Sequence, residues 1–500
     1  MDQAPGQQHH PPVVVPHRGM VLMAALIATF MAAVESSIIA TAMPTIVGDL
    51  GGFRLFSWVF AAYLLTMAVT VPIYGRLADL YGRKRIFFVG TGIFLIGTTL
   101  CGLARTMIAL VVFRAVQGIG AGAIQPIAST VIGDIYTPAE RARVQGYSSS
   151  VFGVSAVIGP ALGAFLVEHV SWALVFWVNL PIGVVAIAMF AAYLPEKVER
   201  RQHRIDYLGA VLLIVGVGAP MLALVQARSL DHGSLAALVA SGVAVLIFLG
   251  VHEAREPEPM VPFRLWRNRV IALSNIGIFG TGSTMMAISA FLPTYVQGVM
   301  GRSPSLAGLT LGCMSVSWMF ASFAAGRLMI RTSYRLAAAL GAVALVVGAV
   351  MLTRLQPSSG VAWAAAGSLV MGVGMGACNT AFLVSIQASV GWSERGVATG
   401  ANMFMRIIGQ SFGAALGGAI LNFGVFRRVP DAGDAVNRLL QPALRHGLGP
   451  AEIARLTNAV AASLHDVYLI AAVTALATLV VSIGFPPRLS PLRPAAPAAR

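Results

Sequence analysis

Long apolar runs separated by short polar connections set the organisation of this chain. A membrane-spanning helix needs about 20 mostly apolar residues. Fourteen such runs occur, near 20–43, 56–75, 86–104, 107–133, 146–167, 173–194, 207–227, 235–251, 270–296, 305–328, 336–353, 361–388, 400–424 and 467–485. Only helices satisfy their own backbone in lipid, and these runs are too long for barrel strands. The pattern therefore predicts an all-α polytopic membrane protein with fourteen transmembrane helices. The run from Met20 to Pro44 is too long for the core of a cleavable signal peptide, and many runs follow it. Residues 1–19, rich in Pro, Gln and His, are expected to form a disordered tail. His9, His10 and His17 are read as part of that tail rather than as a metal site.

Composition agrees with this picture. Hydrophobic residues make up 57% of the chain and charged residues 11%, where a soluble domain carries about 25% charged residues. Cys101, Cys313 and Cys378 fall in apolar stretches and form no CxxC pair, so neither a disulfide framework nor a zinc site is indicated.

Charge fixes the expected orientation. Arg76, Arg83, Lys84, Arg85, Arg141, Arg143, Lys197, Arg200, Arg201 and Arg204 all follow even-numbered runs, as do Arg255, Arg264, Arg267, Arg269, Arg327, Arg331, Arg335 and Arg395. With the two tails, this face holds 22 of the 34 Lys and Arg. The short connections of the opposite face hold one each: Arg54, Arg105, Arg228, Arg302 and Arg354. Both termini are therefore expected in the cytoplasm. Topology accounts for the formal charge of +15, and no nucleic-acid partner is called for. One external connection is long, from Val425 to Asp466. The helical periodicity from Pro450 suggests an amphipathic segment on the outer face, read first as a solvated lid and second as a docking site for a periplasmic adaptor.

The chain repeats itself at an offset of 254 residues. Gly118-Ile-Gly-Ala-Gly-Ala matches Gly372-Val-Gly-Met-Gly-Ala, Glu140-Arg141 matches Glu394-Arg395, and Gly146, Gly159 and Gly163 match Gly400, Gly413 and Gly417. Eight runs separate the copies, so the repeats run parallel. A weaker echo pairs Met43-Pro44-Thr45 with Leu292-Pro293-Thr294. The expected architecture is two parallel-repeat six-helix bundles, residues 20–194 and 270–485, the second including the external segment 425–466. A linker over 195–269 carries two inserted helices, and 486–500 forms a second cytoplasmic tail. Parallel halves place a substrate site at their interface near mid-membrane, with rocking between inward-open and outward-open states.

Charges inside the apolar runs carry the candidate chemistry. Glu35, in Glu35-Ser-Ser37-Ile-Ile-Ala40-Thr-Ala-Met-Pro44, is an isolated acid in a low-dielectric setting and can take up a proton near neutral pH. Such a site can hold either a proton or a cationic substrate. Arg114 sits several residues inside its run, where a charge is costly and is usually functional and paired, unless it snorkels to the interface. Arg406, with Gln410 one turn later, is a third buried charge that pairs with Glu35 across the interface or contacts substrate. In Gly75-Arg-Leu-Ala-Asp79-Leu-Tyr-Gly82-Arg83-Lys84-Arg85, the glycines permit a tight turn and close helix contact. Asp79 is a lone carboxylate among cations, placed to bridge the two bundles and favour the outward-open state. The corresponding Gly326-Arg-Leu-Met-Ile-Arg-Thr-Ser lacks the aspartate.

These stretches resemble the fourteen-helix drug:proton antiporters of the major facilitator superfamily over nearly the whole chain. The Gly75–Arg85 stretch matches the superfamily loop signature in full. Arg114-Ala-Val-Gln117-Gly118-Ile-Gly120-Ala matches its fourth-helix pattern, which implies a part for Arg114 in proton transfer. Gly146, Ser155, Gly159-Pro160-Ala-Leu-Gly163 resembles the antiporter motif of the fifth helix, with Ser155 and Ala164 where glycine is common. The Glu35 stretch resembles the first-helix motif, whose common form has Asp for Glu35 and Asn for Ala40. Trp172-Ala-Leu-Val-Phe176-Trp-Val-Asn179-Leu-Pro181-Ile-Gly183 resembles a signature at the external end of the sixth helix, with Ala173 in place of the usual arginine.

The resemblance implies proton-driven export of hydrophobic, often cationic, compounds across a bacterial inner membrane, with Glu35 as coupling site. Its partners would be small hydrophobic substrates, protons and membrane lipid, with no cofactor. Ser37, Tyr63, Phe291, Tyr295, Trp318, Arg406 and Gln410 are the candidate pocket residues. A specific exporter of a siderophore, antibiotic or amino acid is the alternative, and a non-transporting sensor on the same scaffold a third. The sequence holds no GxxxxGK[ST], HExxH or GxSxG motif, so nucleotide hydrolysis and intramembrane proteolysis are not indicated.

Overall fold

A computed structural model describes residues 17–136, 138–195, 206–225, 231–256, 263–391, 394–430, 433–440 and 449–486. Helices occupy the positions of all fourteen apolar runs. They are α1 (Arg18–Leu50), α2 (Phe56–Tyr81), α3 (Arg83–Gly102), α4 (Met107–Ile135), α5 (Pro138–His169), α6 (Ala173–Trp177) and α7 (Asn179–Tyr193). After the inserted α8 (Tyr207–Val225) and α9 (His232–Glu253) come α10 (Arg269–Ser289), α11 (Leu292–Thr294), α12 (Pro304–Arg331), α13 (Tyr334–Thr353) and α14 (Gly360–Ser389). The chain ends with α15 (Arg395–Arg428), α16 (Gly433–Leu440) and α17 (Pro450–Ile483).

Among the described residues, 12 helices are long and apolar enough to cross a membrane. The two further runs expected from sequence form shorter apolar helices, Gly153–His169 within α5 and Leu208–Ala223 within α8. The structure thus establishes a helical membrane fold with twelve such spans.

Helix packing follows the sequence repeat. In the first half α4 lies against α2 and α3, and α1 against α5 and α7. In the second, α14 lies against α12 and α13, and α10 against α15 and α17. The halves meet along two seams, α5 on α12 and α2 on α15, and α8 covers the α2/α15 seam. In lipid, helices associate through close packing of small residues rather than through hydrophobic burial, and the repeated glycines do this work. A Cβ on Gly118 would lie 2.1 Å from Thr66 Oγ1 and 2.3 Å from the Tyr63 carbonyl. A Cβ on Gly372, its repeat partner, would lie 2.0 Å from the Met314 carbonyl. Gly120 presses on Phe94 of α3 as Gly374 presses on Leu345 of α13. Gly159 and Gly163 meet Ser37 and Ile38 of α1, and Gly413 meets Ser283 of α10.

The two halves are laced together at the helix ends that carry residues 41–57 and 291–297. Gln297 Nε2 donates to the Thr41 carbonyl at 3.0 Å, and Asn422 Nδ2 to the Arg54 carbonyl at 2.9 Å. The Phe53 N–H donates to Asn437 Oδ1 at 3.3 Å, and the Phe56 and Phe291 rings stack at 5.3 Å. This corrects the reading of residues 425–466 as a solvated lid. Val425–Arg428 belong to α15, Val436, Leu439 and Leu440 of α16 are buried, and Pro450 opens a helix that runs unbroken to Ile483. The charges of this segment masked a buried apolar face.

Candidate functional site

The middle of the first half holds a closed polar network. Glu35 is 0% exposed and Arg114 1% exposed, and the two form an ion pair between α1 and α4. The arginine therefore turns inward and does not snorkel. Asn179, the first residue of α7, donates from Nδ2 to the other Glu35 oxygen, Oε2, at 2.6 Å. Arg114 also donates to Gln117 Oε1 at 2.6 Å and to the Val59 carbonyl at 3.1 Å. Its guanidinium lies 4.0 Å from the centroid of the Tyr63 ring. Gln117 in turn donates to Thr98 Oγ1 at 2.6 Å. A charge pair in so dry a site holds only when its remaining donors and acceptors are satisfied, and here four helices besides α1 supply them.

Sequence positions explain this convergence. Gln117 is one helical turn beyond Arg114, so both share a face of α4. Gly118 and Gly120 lie on its close-packed flanks, bringing α2 and α3 near enough for Val59, Tyr63 and Thr98 to reach the network. Gly159 and Gly163 hold α5 against α1 just beyond Glu35, and Ser37 donates to the Ser155 carbonyl at 3.5 Å. Pro160 is buried within the same helix.

A second feature lies wholly in the other half. A small cavity, with space for about one water molecule, opens between α10, α12, α14 and α15, lined by Ile278, Met285, Trp318, Met375, Asn379 and Arg406 among others. Trp318 and Arg406 thus come together as expected of pocket residues. Gln410, one turn along α15, donates to Met285 Sδ at 3.4 Å. Phe291 and Tyr295 do not line this cavity. Both are fully buried, Phe291 on Phe56 and Tyr295 with its hydroxyl donating to the Leu355 carbonyl at 2.9 Å. Tyr63 belongs to the Glu35 network.

With this geometry in place, sequence relationships become informative. Residues 25–414 match the family model described as Major Facilitator Superfamily. The chain belongs to that superfamily. It is 32% identical to "Multidrug resistance protein 3" of Bacillus subtilis, across 90% of this chain and 92% of the relative. It is 34% identical to "Multidrug transporter protein MdtP" of the same organism, across 81% of this chain and 75% of the relative. In fold it is similar to a bacterial homologue of the human lysosomal transporter Spinster in an inward-facing, unoccupied conformation. That match has a TM-score of 0.67 and 16% identity, and covers 93% of this chain and 97% of the other. The protein is accordingly a multi-pass membrane transporter of the major facilitator type.

The superfamily's loop motif occupies the junction of α2 and α3. Gly82 has φ 95°, a conformation that favours glycine, and it turns the chain between the two helices. Gly75 lies inside α2, and among the described residues nothing stands within 4 Å of where its Cβ would be. Arg83 pairs with Asp134 of α4, and Lys84 donates to the carbonyls of Ala191 and Leu194 at 2.8 and 3.0 Å. These cations tie α3 to its own half, and Lys84 caps the end of α7, where carbonyls lack helical partners. Arg85 lies one residue further along α3. The side chain of Asp79 and its expected bridge between halves lie outside the described residues, as do the surroundings of Gly146.

Asn179, Thr98 and Asn379 escaped the selection of site residues from sequence. Asn179 stands in a quoted motif, and a lone amide in an apolar run is itself a signal of an internal partner. Thr98 gives no such signal, because threonine satisfies itself on its own helix.

Proposed function

We propose that the protein is a proton-coupled exporter of small hydrophobic compounds, working as an antiporter with fourteen spans and cytoplasmic termini in a bacterial inner membrane. The names of its curated relatives support multidrug efflux, and the arginine-rich connections support the orientation. The observation that carries the coupling role is the Glu35–Arg114 pair. When Glu35 takes a proton and loses its charge, Arg114 keeps Gln117, the Val59 carbonyl and the Tyr63 ring. The cation is therefore not orphaned, and the acid can change state without dismantling the helix packing.

Each cycle then alternates protonation of this network with movement of a substrate, as the halves rock about the α5/α12 and α2/α15 seams. Here the lacing at residues 41–57 closes one end. Glu35 exchanges its proton only after helices part, because no solvent reaches it in this arrangement.

Inverted vesicles, acid inside and loaded with a pH-sensitive dye, test this reading. A panel of cationic, neutral and acidic lipophilic compounds should release protons through native protein but not through Glu35→Gln. Equal responses from both would remove Glu35 from coupling. Silence across the panel, with both proteins inserted, would leave a narrow metabolite exporter as the better account.

A further inference from the structure

The second half repeats the helix packing of the first but not its charges. The offset of 254 residues puts Ser368 where Arg114 stands, and its buried hydroxyl has no partner. Instead the second half carries Arg406, twelfth residue of α15 and roughly 16 Å from its start at 1.5 Å per residue. Its place in the recess between α10, α12 and α14 turns it towards neighbouring helices. Its guanidinium lines the cavity and has no hydrogen-bond, ion-pair or ring partner among the described residues. Glu35, the acid that sequence offered as its mate, has both oxygens committed to Arg114 and Asn179. Asn379, across the cavity on α14, likewise has an unpartnered amide.

An arginine in such a setting without a counter-ion is unfavourable unless something completes it. The cavity describes that something. Its walls are Ile278, Met285, Met375 and Trp318, so the body of the ligand is apolar and suits a ring. As it stands the recess admits little more than a water molecule, so a ring and its carboxylate enter only as the helices that line it part. The planar guanidinium presents paired donors that fit a carboxylate. The Asn379 amide adds a neutral donor. A lipophilic cation would instead meet an uncompensated positive charge in a poorly screened site.

We propose that this second-half cavity binds amphipathic organic acids, with Arg406 and Asn379 holding the carboxylate and Trp318 and the methionines covering the apolar body. This rests on the exporter reading and gives that site a substrate class opposite in charge to lipophilic cations. The Glu35 network and the Arg406 cavity then divide the labour, the first handling the proton and the second the acid.

The test is equilibrium dialysis of the purified full chain with labelled benzoate, with methyl benzoate, benzylammonium and chloride as competitors. Native protein should bind benzoate saturably, and at least about tenfold more tightly than the ester or the amine, the loss expected when a charge-assisted contact is removed. Arg406→Gln should erase the preference, Arg406→Lys should keep part of it, and chloride should not compete. Absence of saturable benzoate binding, equal binding of acid and ester, competition by chloride as strong as by benzoate, or an unchanged preference in Arg406→Gln would each overturn the proposal. The acid-versus-ester comparison uses native protein only and does not depend on a variant folding. Counterflow of the same compounds in liposomes separates the two readings. Selective binding without exchange keeps the site and sinks the export reading. Exchange of the ester with no preference for the acid does the reverse.

Discussion

The Glu35–Arg114 pair makes an asymmetric prediction about stability. Arg114→Gln leaves the buried Glu35 carboxylate with one donor from α7, Asn179 at 2.6 Å. Glu35→Gln leaves Arg114 with Gln117, the Val59 carbonyl and the Tyr63 ring. Removing one partner of a buried pair costs about 3–5 kcal/mol. A hydrogen bond to a charged group recovers roughly 1.5–3 kcal/mol. Arg114→Gln should therefore fall near the upper end of that range, and Glu35→Gln at about 1–3 kcal/mol, because three contacts still hold its arginine. The double variant replaces both charges by amides of similar length that can bond to one another. It should be less destabilised than the two single changes summed, by at least about 1.5 kcal/mol. The measurement is unfolding of purified protein in mixed micelles with rising SDS, followed by tryptophan fluorescence. Trp172 and Trp177 lie on the segment that leads into Asn179 and report on the region. Single effects that add within about 0.5 kcal/mol would show that the pair does not exist, and the coupling mechanism built on it would fall as well.

Two further consequences concern packing and the seal. Gly118→Val should abolish assembly, since its Cβ alone would lie 2.1 Å from Thr66 Oγ1, whereas Gly75→Ala meets open space and should be tolerated. Size-exclusion profiles of fluorescently tagged variants would show both, and a well-assembled Gly118→Val protein would refute the α2–α4 contact. Asn437→Ala removes the acceptor of the Phe53 N–H, at a cost of about 1–3 kcal/mol if that donor stays buried. The closed end should open more often, so a cysteine placed at the buried Ser57 should react faster with an impermeant maleimide, and an unchanged rate would show that α16 does not hold the seal.

The spans, the repeat and the charged positions could be read from sequence because each is a local property. A run of apolar residues reports its own length, and Gly118 and Gly372 announce close packing wherever they pack. Glu35 and Arg114 stood out because a charge in an apolar run is expensive irrespective of its neighbours. Pairing was not legible in the same way. Asn179 is 144 residues from Glu35, and nothing in its own stretch says which helix it will face. The aromatic residues show the same limit. Phe291, Tyr295 and Trp318 have the same composition signal, yet the first two are buried in packing and only the third reaches the cavity. The segment from Val425 to Asp466 was hidden by its arginines, since buried residues such as Val436, Leu439, Leu456 and Val460 sit on helices that also carry charges.

The division of charges between the halves follows from these facts and gives the repeat a functional sense. Duplicated packing supplies two equivalent bundles, which rocking requires, and the glycines that maintain it recur in both. The ionisable groups do not recur: the first half closes its acid and base on each other, while the second leaves its arginine facing a cavity. A paired charge is stable in the closed, ligand-free protein, and an unpaired one is stable only when filled. On the proposed reading, the proton site is complete in itself and the substrate site is not, which places the energetic demand for a ligand on the second half.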